Sequence, residues 1–273
     1  MAFRTILFAA GLLVACVGAL FAPFLGVLGY IAHYSIGPEY QWWEKPLEGL
    51  GIRYSVTLAV ATGLGIILNF RKLKFGRSFF ARQEVLLLLF LGIVWLSAAM
   101  GEPTSRATYA LIDHPSIKLT KVVIFSLMLT HVMTDLRNLN RLFWLCTAGA
   151  LVLGLQAYYT PWSQFVSGRL ETVGGADFRG ANSLSSYMGC MLPIIGATFL
   201  QAAWPGRLLC LVSGAFAANA IILDRSRGAF VGIAAGALTC LVFVPKRLRL
   251  KVILGLVVAA AGFLYLSNPQ FWG

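Results

Sequence analysis

Long apolar runs alternate with short polar segments along the sequence. About 20 apolar residues in a helix cross the hydrocarbon layer of a bilayer. The runs predict helices at 54–70, 84–100, 117–134, 142–160, 183–204, 208–223, 228–245 and 252–268. Residues 5–36 are apolar too, and Pro23 predicts that they form two short or broken helices. The pattern predicts an all-α, polytopic transmembrane helix bundle of about nine to ten spans.

Composition agrees with this fold class. Of the 273 residues, 59% are hydrophobic and 12% charged, and the mean hydropathy is +0.79, outside the usual range of soluble domains. Five cysteines lie in apolar segments without paired spacing, which favours neither a disulfide framework nor a zinc site. We therefore expect a single transmembrane domain over residues 1–273, without a metal or another cofactor.

The charges of the connecting segments predict the orientation. One set of alternate connecting segments comprises 71–82, 135–141, Arg207 and 246–251. It holds twelve lysines and arginines, against only two acidic residues, Glu84 and Asp135. The other set holds seven basic and eight acidic residues. Because cytoplasmic loops carry an excess of lysine and arginine, the first set is predicted to be cytoplasmic. The net charge of +12 is then explained by topology, and no nucleic-acid partner is expected.

The sequence DRSRGAF at 224–230 places charges between two apolar runs on the predicted outer face. The helix that follows runs inward, so its N-terminus, with unsatisfied N–H groups, points outward beside Arg227, and Ser226 is a candidate cap. A helix N-terminus with a cation favours anions. Gly228, Gly232 and Gly236 further predict that a neighbouring helix packs closely on one face of this helix.

Two more inward-running helices have the same arrangement. The sequence DFRGANS puts Arg179 and the candidate cap Asn182 before the run at 183–204, and Lys118 and Lys121 lie one turn apart near 117. The candidate anion-binding residues are Arg227, Arg179, Asn182, Ser226, Arg225, Lys118 and Lys121. Arg225 and Arg227 would project to nearly opposite sides of a helix. Binding of lipid headgroup phosphates explains the same arginines without a specific ligand.

Two outer segments are candidates for shaping this site. Residues 40–54 contain paired tryptophans, which are typical of the headgroup region and would alternatively stack on sugar rings. Residues 158–180 are rich in glycine and aromatic residues, and their length predicts a mobile flap.

The segments GGADFRGANSLSSYMGCMLPII (174–195), ILDRSRGAFVGIAAGAL (222–238) and KLTKVVIFSLMLTHVMTDLRNLNRLFWL (118–145) resemble the O-antigen ligase and polymerase superfamily of bacterial membrane proteins. The similarity is greatest to exosortase-associated O-glycosylation ligases. The resemblance implies a helical fold similar to GT-C-type membrane glycosyltransferases. It also implies a location in the bacterial inner membrane with a periplasmic active face.

The resemblance further implies transfer of a glycan from an undecaprenyl-diphosphate carrier to an acceptor hydroxyl on a glycan, a lipid A core or a protein. The only other partners it implies are membrane lipids. The arginine of the SRG-like motif, Arg227 here, would contact the diphosphate of the donor. Neither a nucleotide nor a metal is needed.

The sequence departs from the family in one respect. Family members have a large periplasmic loop that supplies a histidine as general base, and this sequence ends where that loop would begin. We therefore expect an N-terminal portion of a longer protein, and the catalytic residue is unknown. His33, His114 and His131 do not match the family position. A transporter or flippase for an anionic lipid-linked or polysaccharide substrate, and a non-catalytic assembly subunit, are the alternatives.

Overall fold

The computed structural model describes residues 3–49, 51–70, 81–101, 114–166, 168–171, 173–175, 178 and 180–266. Their α-helices are α1 (Phe3–Phe21), α2 (Pro23–Ile36), α3 (Lys45–Glu48), α4 (Tyr54–Leu68), α5 (Arg82–Met100), α6 (Pro115–Val132), α7 (Leu136–Tyr159), α8 (Ala181–Gln201), α9 (Trp204–Asp224), α10 (Arg227–Phe243) and α11 (Lys246–Leu266). Short 3-10 turns occupy Pro38–Tyr40 and Trp162–Gln164. The described residues contain no β-strand, so the all-α prediction is confirmed.

Six of the helices in the described part of the chain are long and apolar enough to span a membrane. They are α1, α5, α6, α7, α8 and α9, and shorter apolar helices occur at 54–68, 227–243 and 252–262. Many large apolar side chains point outward, for example Leu86, Leu89 and Ile93 on α5. A soluble surface rarely exposes such continuous apolar area. The chain is therefore a multi-pass membrane protein by helix length and surface chemistry.

Each predicted apolar run overlaps a helix, and the predicted break in residues 5–36 falls at Ala22, directly before Pro23. Two predicted boundaries differ most from the structure. α7 begins at Leu136 instead of 142, and α11 begins at Lys246 instead of 252. Both added segments are rich in leucine and arginine, which are good helix formers. Hydropathy marks only the part of a helix that suits lipid, whereas the helix itself continues into the charged segment.

The chain divides into two compact units, and each is described by itself. The first unit comprises residues 1–30 and 52–139. In it, α1 crosses α4 closely at Gly65, where a side chain would overlap the backbone of Ala19. The Asn69 amide after α4 donates a 2.7 Å hydrogen bond to the carbonyl oxygen of Leu20. α5 and α6 also pack together, and Trp95 Nε1 donates to Thr120 Oγ1 at 3.0 Å.

The second unit comprises residues 31–51 and 140–273. Its core lies between α7, α8 and α9 and includes the fully buried side chains of Leu153, Leu184, Met188 and Ile221. α7 and α9 approach closely because Gly154 lies against the backbone of Phe216. α10 packs on α8 through Ala229 and Ile233.

The predicted close packing on the glycine face of α10 is not found in the described part of the chain. Gly228, Gly232 and Gly236 are exposed, and a Cβ atom at each would meet nothing within 4 Å. α10 instead contacts α8 with its larger apolar side chains, Ile233 among them.

Candidate anion-binding site at the start of α10

The site is built around a tight turn between α9 and α10. α9 ends at Asp224, α10 begins at Arg227, and only two residues connect them. Arg225 has φ 51° and ψ 39°, in the left-handed region, and it is the only non-glycine residue in the described part of the chain with positive φ. Such backbone is unfavourable for a residue with a Cβ atom. The turn therefore depends on contacts that hold Arg225 in this conformation.

Ser226 is the N-cap of α10, as predicted. Its hydroxyl oxygen accepts a 3.3 Å hydrogen bond from the N–H of Ala229, and its carbonyl oxygen accepts from the N–H of Phe230 at 3.2 Å. The same hydroxyl donates to Oδ1 of Asn182 at 3.0 Å. Ser226 is only 2% exposed. One buried hydroxyl thus caps α10 and connects its start to the first turn of α8.

The prediction that Asn182 caps α8 is wrong. The helix begins at Ala181, and the N-cap is Gly180, with φ −110° and ψ 139°. Extended backbone is the usual conformation of an N-cap, and glycine adopts it without a capping side chain. Asn182 therefore lies inside the first turn, where its side chain accepts the hydrogen bond from Ser226. It is exposed.

Asp224 and Ser185 form a buried pair under the turn. Neither side chain is exposed, and Ser185 Oγ donates a 2.7 Å hydrogen bond to Asp224 Oδ2. Asp224 Oδ1 has no hydrogen-bond partner among the described residues. Sequence analysis missed Ser185 and did not predict that Asp224 is buried. The only sequence signal for this pair was the position of Asp224 directly after an apolar run, and that position does not indicate that the side chain is buried.

The connection between α7 and α8 packs against this turn. Leu170, Val173 and Phe178 are buried, and the N–H of Leu170 donates to the carbonyl oxygen of Leu223 at 3.2 Å. These three residues are therefore docked in the core, and the mobility predicted for residues 158–180 stays a prediction. Leucine, valine and phenylalanine in this segment each bury apolar area, and that stabilises a docked connection.

The side chains of Arg169 and Arg225 make different contacts in this region. Nη2 of Arg169 donates a 2.9 Å hydrogen bond to the carbonyl oxygen of Arg225. The guanidinium of Arg225 lies over Gly168, where a Cβ atom would be 3.0 Å from Nη1. Gly168 has φ +72°, which glycine adopts without strain. Arg225 is thus turned toward the α7–α8 connection.

Arg227 is the first residue of α10, and it is exposed. It is the cation at the first position of α10. Arg179 lies outside the described residues. Lys118 and Lys121 are exposed residues near the start of α6 and belong to the first unit.

The three histidines have local partners. His114 is the N-cap of α6, and its Nδ1 accepts from the N–H of Ser116 at 3.3 Å. His131 Nδ1 lies 3.6 Å from Glu84 Oε1. His33 Nε2 lies 2.9 Å from Glu39 Oε1. Burial favours a higher pKa for Glu39, but the hydrogen bond and charge of His33 outweigh it, so the pKa lies below its ordinary value.

The fold and surface define a multi-pass, all-α membrane protein with a polar turn buried between α8, α9 and α10. Comparisons of the chain with protein-family models, with curated proteins and with solved structures found no match.

Proposed function

We propose that this protein transfers a glycan from an undecaprenyl-diphosphate carrier to an acceptor hydroxyl at the periplasmic face of a bacterial inner membrane. The observation that carries the proposal is the hydrogen bond from Ser226 to Asn182, because it joins the first turns of α8 and α10 beside the exposed Arg227. The starts of two helices and an exposed arginine then lie close together. That arrangement favours a phosphate group.

The charges of the described site also favour an anion. Of the three described arginines near the turn, Arg227 is exposed, whereas Arg169 and Arg225 are half-buried and lie against the α7–α8 connection and the turn itself. Asp224 is fully buried and bonded to Ser185, whereas Arg227 is exposed. An anion arriving from outside therefore meets Arg227 before it meets Asp224.

The chemistry requires an anion site of this kind. The acceptor oxygen forms a bond to the anomeric carbon of the glycan, and the bond from that carbon to the diphosphate oxygen breaks. The diphosphate leaves with the electron pair, and the acceptor proton passes to a base that we do not assign. Fixed cations and helix N–H groups stabilise the charge that develops on the leaving group. Arginine is suited because its planar guanidinium binds phosphate oxygens in pairs and stays charged.

We also propose that the shorter apolar helices cross the membrane together with the six long ones. The six long and three shorter helices make nine spans, and α2 would be a tenth, in a fold similar to GT-C-type glycosyltransferases. The basic segments at 135–141 and 246–251 would then lie on the cytoplasmic side.

Arg227→Ala tests the proposal in the full chain, reconstituted in lipid nanodiscs. Native mass spectrometry would measure binding of undecaprenyl diphosphate, with undecaprenol as the lipid without phosphates. We expect the wild type to bind the diphosphate selectively and Arg227→Ala to lose that selectivity. In cells, glycan transfer should fall by about 100-fold or more while membrane insertion persists, as for the loss of one preorganised charge donor.

Lys45→Ala is the matched control, since it removes one exposed cation from the same unit. It should bind undecaprenyl diphosphate like the wild type. Normal transfer by Arg227→Ala, or equal binding of the diphosphate and the neutral lipid by the wild type, would contradict the proposal.

A further inference from the structure

The left-handed backbone at Arg225 needs an explanation. Glycine or asparagine usually occupies such a position, because a larger side chain makes it unfavourable. Here an arginine occupies it, at the single point where the chain reverses from α9 into α10. Unfavourable backbone of this kind persists only where surrounding contacts hold it, and it is concentrated at functional sites.

Several contacts to the turn at Arg225 come from the α7–α8 connection, in addition to the hydrogen bond of its own N–H to the carbonyl oxygen of Ile222. Arg169 donates its 2.9 Å hydrogen bond to the backbone carbonyl of Arg225, not to a side chain. Next to it, the N–H of Leu170 bonds the carbonyl oxygen of Leu223, and Leu170 is 1% exposed. Arg169 is itself fixed by paired backbone hydrogen bonds of 2.9 Å with Val166. A half-buried guanidinium on a fixed backbone thus holds the carbonyl of the strained residue.

The direction of α10 depends on this carbonyl. Only Ser226 separates Arg225 from the first residue of the helix, Arg227. A change in the backbone angles of residue 225 would therefore rotate the capping serine away from Asn182 and change where Arg227 points. The hydrogen bond from Arg169 to this carbonyl oxygen therefore acts on the geometry of the turn, in addition to any effect of the arginine's charge.

We infer that Arg169 is a positioning residue: it holds residue 225 in the left-handed conformation and so sets the direction of Arg227 and of the first turn of α10. Its importance for diphosphate binding rests on the proposed function, whereas its effect on the turn does not. Sequence alone gave no reason to rank it above the other arginines, because its partner is a backbone atom.

A rescue experiment separates this role from a simple charge effect. Arg169→Gln removes the guanidinium. Arg225→Gly, made in addition, places at the turn the residue that adopts left-handed backbone without strain. If Arg169 acts through geometry, the double variant should recover although it has lost two cations. If Arg169 acts through charge, the double variant should be worse than the single one. Lys45→Gln is the control for loss of one exposed cation.

The first measurement is hydrogen exchange of the backbone amides of residues 225–230, in the full chain in nanodiscs without ligand. Arg169→Gln should exchange about tenfold faster than the wild type, as expected when the left-handed conformation loses its support. The double variant should return toward the wild-type rate, and Lys45→Gln should match it. If Arg169→Gln does not accumulate, recovery of accumulation in the double variant is the equivalent rescue.

The second measurement is binding of undecaprenyl diphosphate. Arg169→Gln should weaken binding by about tenfold, because the fraction of molecules with the left-handed conformation at residue 225 falls by the same factor. The double variant should restore most of the binding. Unchanged exchange in Arg169→Gln, or a double variant inferior to Arg169→Gln, overturns the inference. If the double variant recovers its exchange rate but the wild type binds no diphosphate, the positioning role is supported and the proposed function is contradicted. The two failures are therefore distinguishable.

Discussion

The hydroxyl group of Ser226 donates a 3.0 Å hydrogen bond to Oδ1 of Asn182, which lies 44 residues earlier in the chain. The same hydroxyl accepts from the N–H of Ala229. A single buried oxygen therefore satisfies one helix end and fixes a second helix relative to it. The bond brings together two sequence motifs, ANSL and SRGAF, that the chain separates by the whole of α8 and α9.

Loss of this bond should be measurable as a coupling energy. Ser226→Ala should lower the free energy of unfolding by about 1 kcal/mol through loss of the cap alone, with a further loss because Asn182 is left without its partner. Asn182→Ala should cost less. The free energies of unfolding of the two single variants and the double variant would be measured in detergent. The loss in the double variant should differ from the sum of the single losses by about 0.5 kcal/mol or more. Strict additivity would show that the two side chains do not interact.

The buried pair of Ser185 and Asp224 gives a prediction with a neighbouring control. Ser185→Ala removes the hydrogen-bond donor for Asp224 Oδ2, and the other oxygen already has none among the described residues. The expected loss is about 1–3 kcal/mol of unfolding free energy. Ser186→Ala is the control, because Ser186 is exposed and bonds only Asn182 of its own helix. Similar losses in the two variants would contradict a buried Asp224–Ser185 interaction.

The sequence predicted much of the fold because membrane spans have a strong apolar signal. The break before Pro23 and the approximate position of each helix followed from hydropathy and from the backbone chemistry of proline. Helix ends were less predictable. The leucine- and arginine-rich starts of α7 and α11 have high helix propensity but unfavourable hydropathy, and the structure follows propensity there.

The candidate site was only partly predictable. Ser226 was identified as a cap because capping depends on local sequence. Asn182 was assigned the wrong local role, since its partner lies on α10 and only tertiary structure reveals it. Ser185, Gly168 and Arg169 were missed or ranked low for the same reason. Each acts on a residue at least 39 positions away, through a buried side chain, a close contact or a backbone carbonyl.

The crossing of α1 and α4 predicts opposite effects for two glycines of α4. A Cβ atom at Gly65 would overlap the carbonyl oxygen of Ala19, which is backbone and cannot rotate away. Gly65→Ala should therefore destabilise the first unit by about 1–3 kcal/mol. Gly63→Ala meets only Met128 Cε at 3.5 Å, so helix propensity should dominate and stabilise by about 0.5–1 kcal/mol. Thermal unfolding of the two variants checks this, and equal destabilisation would disprove the close crossing.

The contact between His33 and Glu39 predicts a dependence of stability on pH. The pKa of Glu39 is below its ordinary value, since the hydrogen bond and charge of His33 outweigh the effect of burial. A carboxyl group with a lowered pKa in the folded state adds stability above its unfolded pKa, and that stability is lost as the pH falls through the folded value. Glu39→Gln should therefore be less stable than the wild type at neutral pH, and the difference should shrink in acid.

The size of this effect is limited by solvent. The Glu39 side chain is 42% exposed, so the difference should not exceed about 1 kcal/mol at neutral pH. Unfolding of the wild type and Glu39→Gln between neutral and acidic pH measures it. In a His33→Gln background the difference should no longer shrink as the pH falls, because burial is then the largest remaining influence on the carboxyl group and it raises the pKa. A difference that grows as the pH falls would mean that burial, and not His33, controls the carboxyl group.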